Sequence, residues 1–303
     1  MRAICVMGPT AVGKSDLAVA IARAFGGEVV NADSMQVFRH LPIGTAAPTP
    51  DQFAAAPHHL FAYLEPDEEP DAGDWARRAA AVLAGLSARG RLPVVVGGTF
   101  FWMRALFEGL SDIPPIPAEV RAAVLGAIGR EGVEAAHARL AEVDPPTAAR
   151  LARGDTQRVA RALEVFDATG LQLSHFQARV PQPAVRAEVL RLIPLLPATA
   201  LYARIDARAA RMFRDGLVEE VRAVLAMGIL PDARSLKTAG YAPVVDFVLG
   251  RCGEEQMRER VARGHRNYAK RQLTWLRREE GLRLDASAGW DTALDASRTF
   301  LQG

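Results

Sequence analysis

The 303-residue sequence contains only two cysteines, Cys5 and Cys252, and no long uninterrupted apolar segment. Two cysteines are too few for a disulfide framework or a cysteine-rich zinc site. The most apolar late stretch, 189–203, is broken by an arginine and two prolines, so we do not expect it to span a membrane. Fold-forming sequence begins directly after the first two residues, so no signal peptide is expected and the cytoplasm is the predicted location.

A strong excess of charge of either sign is also missing. The sequence has 37 Lys and Arg residues against 35 Asp and Glu residues, which gives a formal net charge of +2 at pH 7. Any binding of nucleic acid must therefore come from local basic patches and not from overall charge. Half of the residues are hydrophobic and 24% are charged, a composition typical of a globular protein with a sizeable core.

A glycine-rich loop stands near the N-terminus, between the apolar run 3–7 and the segment 16–22, which has helical character. The residues of this loop are Gly8, Pro9, Thr10, Ala11, Val12, Gly13, Lys14 and Ser15. A strand, a loop of this pattern and a helix together predict a phosphate-binding loop, because glycines and a helix N-terminus direct backbone N–H groups at phosphate oxygens. Lys14 is expected to reach the outer phosphate, and the Ser15 hydroxyl to hold Mg²⁺. The loop predicts a diphosphate or polyphosphate ligand but does not decide the reaction.

Two further apolar runs, 28–32 and 92–96, read as strands that end in polar residues. The first is followed by Asp33 and Ser34, and the second by two glycines and Thr99. Strands that alternate with helices predict an α/β fold, a parallel sheet of the P-loop NTPase type flanked by helices. The carboxyl ends of such strands lie along one edge, where ligands bind. We therefore expect the phosphate loop, the Asp33 carboxylate and the Thr99 hydroxyl to share one pocket.

The strand 92–96 is not followed by an acidic residue, although ATPases of this class usually place a second Mg²⁺-binding acid there. Asp33 is the carboxylate that the sequence predicts at a strand tip. Three roles for it remain open: a water-mediated Mg²⁺ ligand, a base directed at a substrate, or an aspartate that caps a turn or a helix.

A change of character after residue 111 predicts a second domain. The proline-rich segment 113–117 reads as a linker, and helices are predicted at 118–130, 132–142 and 156–168, with no strand pattern. The predicted division is a core domain of residues 1–115 and 186–303 with an all-helical insertion of residues 116–185. Arg158 and Arg161 share one face of the last of these helices, and a solvated face and a nucleic-acid contact explain them equally well.

One later helix carries an arginine inside its apolar stripe. Arg208 falls among the members of that stripe, which are Leu201, Ile205, Ala209 and Met212. A buried guanidinium requires an anionic partner, which is either an internal carboxylate or a phosphate of a ligand. The phosphate is favoured, because arginine suits bidentate phosphate recognition.

The predicted helix 254–278 is long and basic. One side carries Arg263, Arg266, Lys270 and Arg277, and the other carries Val261, Tyr268, Ala269, Trp275 and Leu276. This pattern predicts one face packed on the body of the protein and one basic face. The basic face is expected to bind a phosphate backbone, and a merely solvated helix is the alternative.

Taken in order, these motifs resemble the tRNA dimethylallyltransferase family of bacterial type, also called tRNA isopentenyltransferases. Besides the phosphate loop, the matching segments are 33–38, 43–46, 96–99, 109–111, 157–165, 239–241 and 270–277. The resemblance implies transfer of a dimethylallyl group from dimethylallyl diphosphate to N6 of the adenosine 3′ of the anticodon, with release of diphosphate. It also implies Mg²⁺ as cofactor, a monomer, and a helical insertion that clasps the anticodon stem-loop of tRNA.

The resemblance also assigns roles to residues. Asp33 becomes the general base, Arg208 neutralises the leaving group, the loop from Thr10 to Ser15 holds the diphosphate with Mg²⁺, and Thr99 joins the catalytic set. The implied tRNA contacts are Asp33, Ser34, Met35, Gln36, Thr99, Arg121, Gln157, Arg158, Val159, Ala160, Arg161, Gly240, Tyr241, Arg266 and Lys270.

The chemistry agrees with these residue types, but the residues alone leave two other functions open. An exocyclic amine is a poor nucleophile, so a carboxylate that orients it and accepts its proton suits the reaction. Since no γ-phosphoryl group is transferred, the missing second acid is not needed. The alternatives are a small-molecule or nucleotide kinase that uses ATP, and a non-catalytic RNA-binding module that retains the loop.

Overall fold

The computed structural model describes residues 1–179 and 181–303, which form two compact units. The sheet unit comprises Met1–Phe107 and Ala184–Gly303, and the helical unit comprises Glu108–Pro183. The helical unit therefore begins at Glu108, earlier than the predicted residue 116, and ends slightly before residue 185. The reason is that Leu110 pairs with Gln182 in an isolated antiparallel bridge, and Ile113 and Ile116 of the segment predicted as a linker pack in the core of this unit.

Six strands make up the sheet of the first unit: β1 (Arg2–Met7), β2 (Gly27–Asn31), β3 (His58–His59), β4 (Leu92–Gly97), β5 (Glu188–Leu195) and β6 (Leu282–Asp285). Its helices are α1 (Lys14–Phe25), α2 (Pro50–Ala55), α3 (Ala72–Ala88), α4 (Phe100–Phe107), α10 (Ala198–Arg214), α11 (Leu217–Ala226), α12 (Ala242–Val248), α13 (Glu254–Leu276) and α14 (Asp291–Gln302). The helical unit contains α5 (Ala118–Glu131), α6 (Val133–Val143), α7 (Pro145–Ala148), α8 (Thr156–Thr169) and α9 (Leu173–Gln177).

The sheet is parallel throughout, with the order β3-β2-β4-β1-β5-β6. Successive side chains of a strand point to opposite faces, and both faces of the central strands are covered. On one face Ile4 and Val94 pack in a cluster with Leu17 of α1. On the other, the Cys5 sulfur lies 3.5 Å from the Met103 sulfur of α4. The α/β fold predicted from the sequence is confirmed.

The register brings three strand ends to one level. Met7 of β1 lies opposite Gly97 of β4, and Asn31 of β2 lies opposite Val96. The segments that follow β1, β2 and β4 therefore leave the sheet side by side, as the sequence predicts. This edge of the sheet unit positions the candidate site.

The helical unit has its own core. Val124 of α5, Leu140 of α6 and Leu163 of α8 are buried in one apolar cluster. Asp155 caps α8, because its carboxylate accepts the N–H of Arg158 at 3.2 Å, and Gly170 ends the helix in a left-handed conformation. Across the described part of the chain, no helix is both long and apolar enough to cross a membrane.

Candidate functional site

The glycine-rich loop turns sharply between β1 and α1. The backbone is left-handed at Ala11, with φ of 65°, and at Gly13, with φ of 102°, and α1 begins at Lys14. Lys14 folds back so that its Nζ donates to the carbonyl oxygen of Pro9 at 2.8 Å. Val12 packs against α10 and α13 in a small apolar cluster. The loop thus places a helix N-terminus and an ammonium group together, an arrangement that suits an anion.

Two cations stand at this loop, and one carboxylate is close to both. Burial lowers the pKa of Lys14 to about 8, the charge of Asp33 opposes the shift, and Arg208 adds to it. Burial likewise lowers the pKa of Arg208 to about 10, again against the effect of Asp33. A guanidinium nitrogen of Arg208 donates to the hydroxyl oxygen of Thr10. Within the described residues no carboxylate lies at ion-pair distance from Arg208, so this half-buried region carries more positive than negative charge.

Asp33 is held by its neighbours in a tight turn. Its N–H donates to the side-chain oxygen of Asn31 at 2.8 Å, and the Asn31 amide donates to the Asp33 carbonyl at 3.1 Å. Its Oδ1 accepts the N–H of Met35 at 2.9 Å, so the turn-capping role considered for Asp33 is present. The other oxygen, Oδ2, lies toward Gly98, 3.7 Å from the position that a Cβ on Gly98 would take. One carboxylate oxygen therefore holds the turn, and the second faces the strand tips.

Thr99 links the tips of β2 and β4. Its hydroxyl oxygen accepts the N–H of Ser34 at 3.0 Å, and its O–H donates to the Ser34 hydroxyl at 3.2 Å. Tyr268 of α13 faces the same place. Burial and the charge of Asp33 raise the pKa of Tyr268, whereas a hydrogen bond with the Thr99 side chain opposes this. The phosphate loop, Asp33 and Thr99 are thus brought together as the sequence predicts, with Tyr268 beside them.

Tyr241, predicted to touch RNA, has a buried side chain that supports a loop instead. It is 1% exposed, and its hydroxyl lies 2.7 Å from Oε1 of Glu220 and 3.0 Å from the Leu41 carbonyl. A Cβ on Gly44 would lie 2.3 Å from its ring, so the loop packs directly on the tyrosine. Gly240 is also buried. The Tyr241 side chain is thus occupied inside the unit, and the contact of these two residues with tRNA stays a prediction.

The residues that follow Asp33 are also predicted to contact tRNA. Ser34, Met35 and Gln36 are half-buried. The Gln36 amide donates to the carbonyls of Thr45 and Ala46, at 3.1 Å and 2.8 Å, so it fastens the loop 41–46. Its side chain is thus already engaged within the protein.

In the helical unit, the predicted RNA contacts divide into exposed and buried residues. Arg121, Gln157 and Arg158 are exposed and Arg161 is half-buried. Arg158 pairs with Asp155 at 3.3 Å and Arg161 with Glu164 at 3.6 Å, one turn apart on α8. The side chains predicted to touch RNA at positions 159 and 160 belong instead to the core of this unit, because Val159 is 0% and Ala160 is 3% exposed.

The two sides of α13 are largely as predicted. Lys270 is exposed, with its ammonium 6.0 Å from the centre of the Tyr202 ring, and Arg266 forms an ion pair with Asp206. Trp275 departs from the prediction, because it is 37% exposed and packs near Phe100 at a ring distance of 6.3 Å.

Two buried polar residues on α13 were not predicted as part of the site. Gln272 is 3% exposed and His265 is 8% exposed, and both lie on the face that packs on the sheet unit. Gln272 bonds to Thr10 and to Gly98. The signal was present, because Gln272 interrupts an apolar stripe that includes Ala269 and Leu276, just as Arg208 interrupts the stripe of α10.

The residues at this edge are compatible with the predicted Mg²⁺ ion, provided that a substrate supplies most of the ligands of the ion. The described residues contain no group of three or more His, Cys, Asp or Glu side chains that would hold a metal alone. Ser15 offers a hydroxyl in the first turn of α1, and Asp33 offers a carboxylate nearby. Mg²⁺ prefers such oxygen ligands and is usually bound by one or two protein groups together with phosphates and water.

Comparison with protein-family models gives two matches. A family described as IPP transferase matches residues 36–279, and one described as isopentenyl transferase matches residues 1–61. The tRNA dimethylallyltransferase of Geobacter sulfurreducens is 43% identical over 300 residues, covering 99% of this chain and 96% of that protein. The tRNA dimethylallyltransferase of Phenylobacterium zucineum is 46% identical over 286 residues, covering 94% and 90% of the two chains.

The chain also resembles solved structures of enzymes of this kind. The tRNA isopentenylpyrophosphate transferase of Bacillus halodurans superposes with a TM-score of 0.73 at 30% identity, covering 100% of this chain and 96% of that one. A eukaryotic dimethylallyltransferase acting on tRNA superposes with a TM-score of 0.84 at 26% identity, covering 99% and 79%. The matches in sequence extend from the phosphate loop through α13. The chain belongs to the IPP transferase family, as do the tRNA dimethylallyltransferases that it resembles over nearly its whole length.

Proposed function

We propose that this protein transfers a dimethylallyl group from dimethylallyl diphosphate to N6 of the adenosine 3′ of the anticodon in tRNA. One observation carries the proposal. At a single sheet edge, the charge of the Asp33 carboxylate lies close enough to Lys14 and Arg208 to oppose the lowering of the pKa that burial causes in each of them. An anion site and a proton acceptor are therefore near enough to act on the two ends of one transfer.

The loop from Thr10 to Ser15 binds the diphosphate of the donor in this proposal. When the bond between the allylic carbon and the diphosphate oxygen breaks, negative charge grows on the leaving group. Lys14, Arg208 and the N-terminus of α1 stabilise that charge where it develops. The Ser15 hydroxyl would hold Mg²⁺, and the ion would supply additional charge neutralisation at the diphosphate.

Asp33 acts on the acceptor. Its carboxylate accepts the proton that the N6 amine loses as the new N–C bond forms, so the products are the modified adenosine, diphosphate and one proton. The Thr99 hydroxyl is held by hydrogen bonds with Ser34, lies near Asp33 and orients the adenine. The adenine must leave the stack of the anticodon loop to reach this edge, at a cost of about a few kcal/mol.

Binding of tRNA is assigned to exposed and half-buried cationic and polar groups of each unit. In the helical unit these are Arg121, Gln157, Arg158 and Arg161, which we propose contact the anticodon stem-loop, and in the sheet unit they are Arg266 and Lys270 of α13. Phosphate contacts of this kind give affinity that falls with salt. We propose that the protein acts as a monomer, and that it acts in the cytoplasm, where its tRNA substrate is found.

The test is incubation with unmodified tRNA and either dimethylallyl diphosphate or ATP, followed by digestion of the tRNA and mass spectrometry of its nucleosides. Dimethylallyladenosine is expected with dimethylallyl diphosphate alone, and none is expected from a tRNA whose adenosine 3′ of the anticodon is replaced by guanosine. A phosphorylated product formed with ATP would support a kinase. Binding of tRNA without modification under either condition would support a non-catalytic RNA-binding protein.

A further inference from the structure

Gln272 joins two loops that are far apart in the sequence. Its side-chain oxygen accepts the N–H of Thr10 at 2.8 Å, and its side-chain nitrogen donates to the carbonyl of Gly98 at 3.1 Å. The residue projects from near the C-terminal end of α13 and is 3% exposed, so water does not compete for these bonds. One amide therefore spans the loop after β1 and the loop after β4.

The two contacts require an amide of this length. The backbone N–H of Thr10 needs an acceptor and the Gly98 carbonyl needs a donor, and a glutamine side chain presents one of each. A carboxylate would set an oxygen against the Gly98 carbonyl, and a leucine would leave both backbone groups without their partner. The approach is also close, because a Cβ on Gly98 would lie 2.3 Å from the Gln272 nitrogen. The glycine at position 98 thus leaves room for this amide.

Each loop that Gln272 holds carries one half of the chemistry. Thr10 belongs to the diphosphate loop, and its hydroxyl accepts a hydrogen bond from Arg208. Gly98 precedes Thr99, whose hydroxyl is bonded to Ser34, next to Asp33. Movement of either loop would change the spacing between the leaving group and the proton acceptor.

We propose that Gln272 is a positioning residue that sets the spacing between the diphosphate loop and the pair Asp33 and Thr99. This inference rests on the proposed transfer reaction. A misplacement of about 1 Å between reacting groups costs on the order of 10²-fold in rate. A glutamine that merely filled the core would affect stability, whereas a positioning residue affects the chemical step and diphosphate affinity in protein that is fully folded.

The experiment compares Gln272→Glu and Gln272→Leu with Gln256→Leu, which makes the same change at an exposed position of the same helix. We measure kcat and KM for transfer, affinity for tRNA, affinity for inorganic diphosphate in the presence of Mg²⁺, and the thermal midpoint. Both Gln272 variants are expected to lower kcat by about 10- to 100-fold and to weaken diphosphate binding several-fold. Their tRNA affinity should stay within about twofold of wild type, and Gln256→Leu should match wild type throughout.

A folded Gln272→Glu protein with kcat and diphosphate affinity within about twofold of wild type would overturn the proposal. The proposal would also be overturned if kcat and diphosphate binding decreased only in proportion to the fraction of protein that is folded. Gln272→Glu, nearly identical in shape, decides the matter where Gln272→Leu does not fold. If wild type itself transfers nothing, the proposed function fails. Diphosphate affinity then still decides the role of Gln272, because that measurement needs neither tRNA nor transfer.

Discussion

His265 is a buried histidine without a partner for one of its ring nitrogens. Within the described residues, its Nε2 makes no hydrogen bond. Burial lowers its pKa from 6.5 to about 4, and the positive charge of Arg208 contributes. A neutral imidazole thus stands beside a guanidinium at neutral pH.

This arrangement predicts a loss of stability in mild acid. Above the unfolded pKa, neither state binds a proton at His265, whereas between 6.5 and about 4 the unfolded chain binds one and the folded chain does not. By linkage, the free energy of unfolding should fall by about 2 kcal/mol between about pH 7 and about pH 5 from this group. Urea unfolding of wild type and His265→Gln measures it, and the variant should lose less.

His40→Asn, a change at an exposed histidine of the same unit, is the control and should keep the pH dependence of wild type. Identical pH dependence in wild type and His265→Gln would contradict the assignment.

At single positions, the sequence predicted charged groups better than neutral ones. The sequence singled out Arg208 as a candidate site residue, because a guanidinium inside an apolar stripe requires an anionic partner. Gln272 interrupts its stripe in the same way, but an uncharged amide in a helix is unremarkable until its two partners are known. Asp33 was placed correctly at a strand tip, although its simultaneous hydrogen bond to Met35 depends on turn geometry that the sequence does not reveal.

Among the elements, α11 supports the loop 41–46 through one carboxylate. Glu220 accepts the N–H of Ile43 at 2.7 Å and that of Gly44 at 3.0 Å, and the Tyr241 hydroxyl lies 2.7 Å away. Burial raises the pKa of Glu220, while these three hydrogen bonds oppose the shift. The carboxylate thus organises a loop that would otherwise leave two N–H groups without partners.

Replacing Glu220 with Gln should lower the free energy of unfolding by about 1–3 kcal/mol, because the new amide nitrogen would face a donor. Glu219→Gln alters the exposed neighbour and should stay within about 0.5 kcal/mol of wild type. Chemical denaturation of the two variants provides the comparison. Equal stabilities would mean that this carboxylate does not hold the loop.

The basic side of α13 makes a prediction about salt. If Lys270 contacts a phosphate of tRNA, Lys270→Ala should weaken binding and reduce the slope of log affinity against log salt by about one. Arg298→Ala removes an exposed cation from α14, which is not predicted to bind RNA, and should leave the slope nearly unchanged. Filter binding over a series of salt concentrations measures both. A slope unchanged in Lys270→Ala would make this face a solvated surface.

Strands buried on both faces were predictable, and the edge strand β6 was not. The strands β1, β2 and β4 stand out as continuous apolar runs because helices cover both sides of the sheet. β6 (Leu282–Asp285) lies at the edge of the sheet, and its leucines alternate with charged residues. It therefore has no continuous apolar run. α14 follows it and was not predicted, although Ala293 and Leu294 join the core beside α1.

For the molecule as a whole, the gathering of strand ends followed from topology, because parallel strands must end at the same edge. RNA contacts could not be derived in this way. Burial decides which side chains can reach RNA, and the side chains of Val159, Ala160 and Tyr241 are buried in the interiors of their units. With a net charge of only +2, recognition of tRNA depends on the exposed cations that remain.

In the proposed reaction, the phosphate loop and Asp33 serve the two ends of one transfer. The most direct test of these roles is the single-turnover rate of transfer for Asp33→Asn and Lys14→Met, measured together with affinities for diphosphate and tRNA. We expect Asp33→Asn to keep both affinities and to lose about 10²- to 10⁴-fold in rate, while Lys14→Met also loses diphosphate affinity. An Asp33→Asn protein that transfers at the wild-type rate would contradict the proposal.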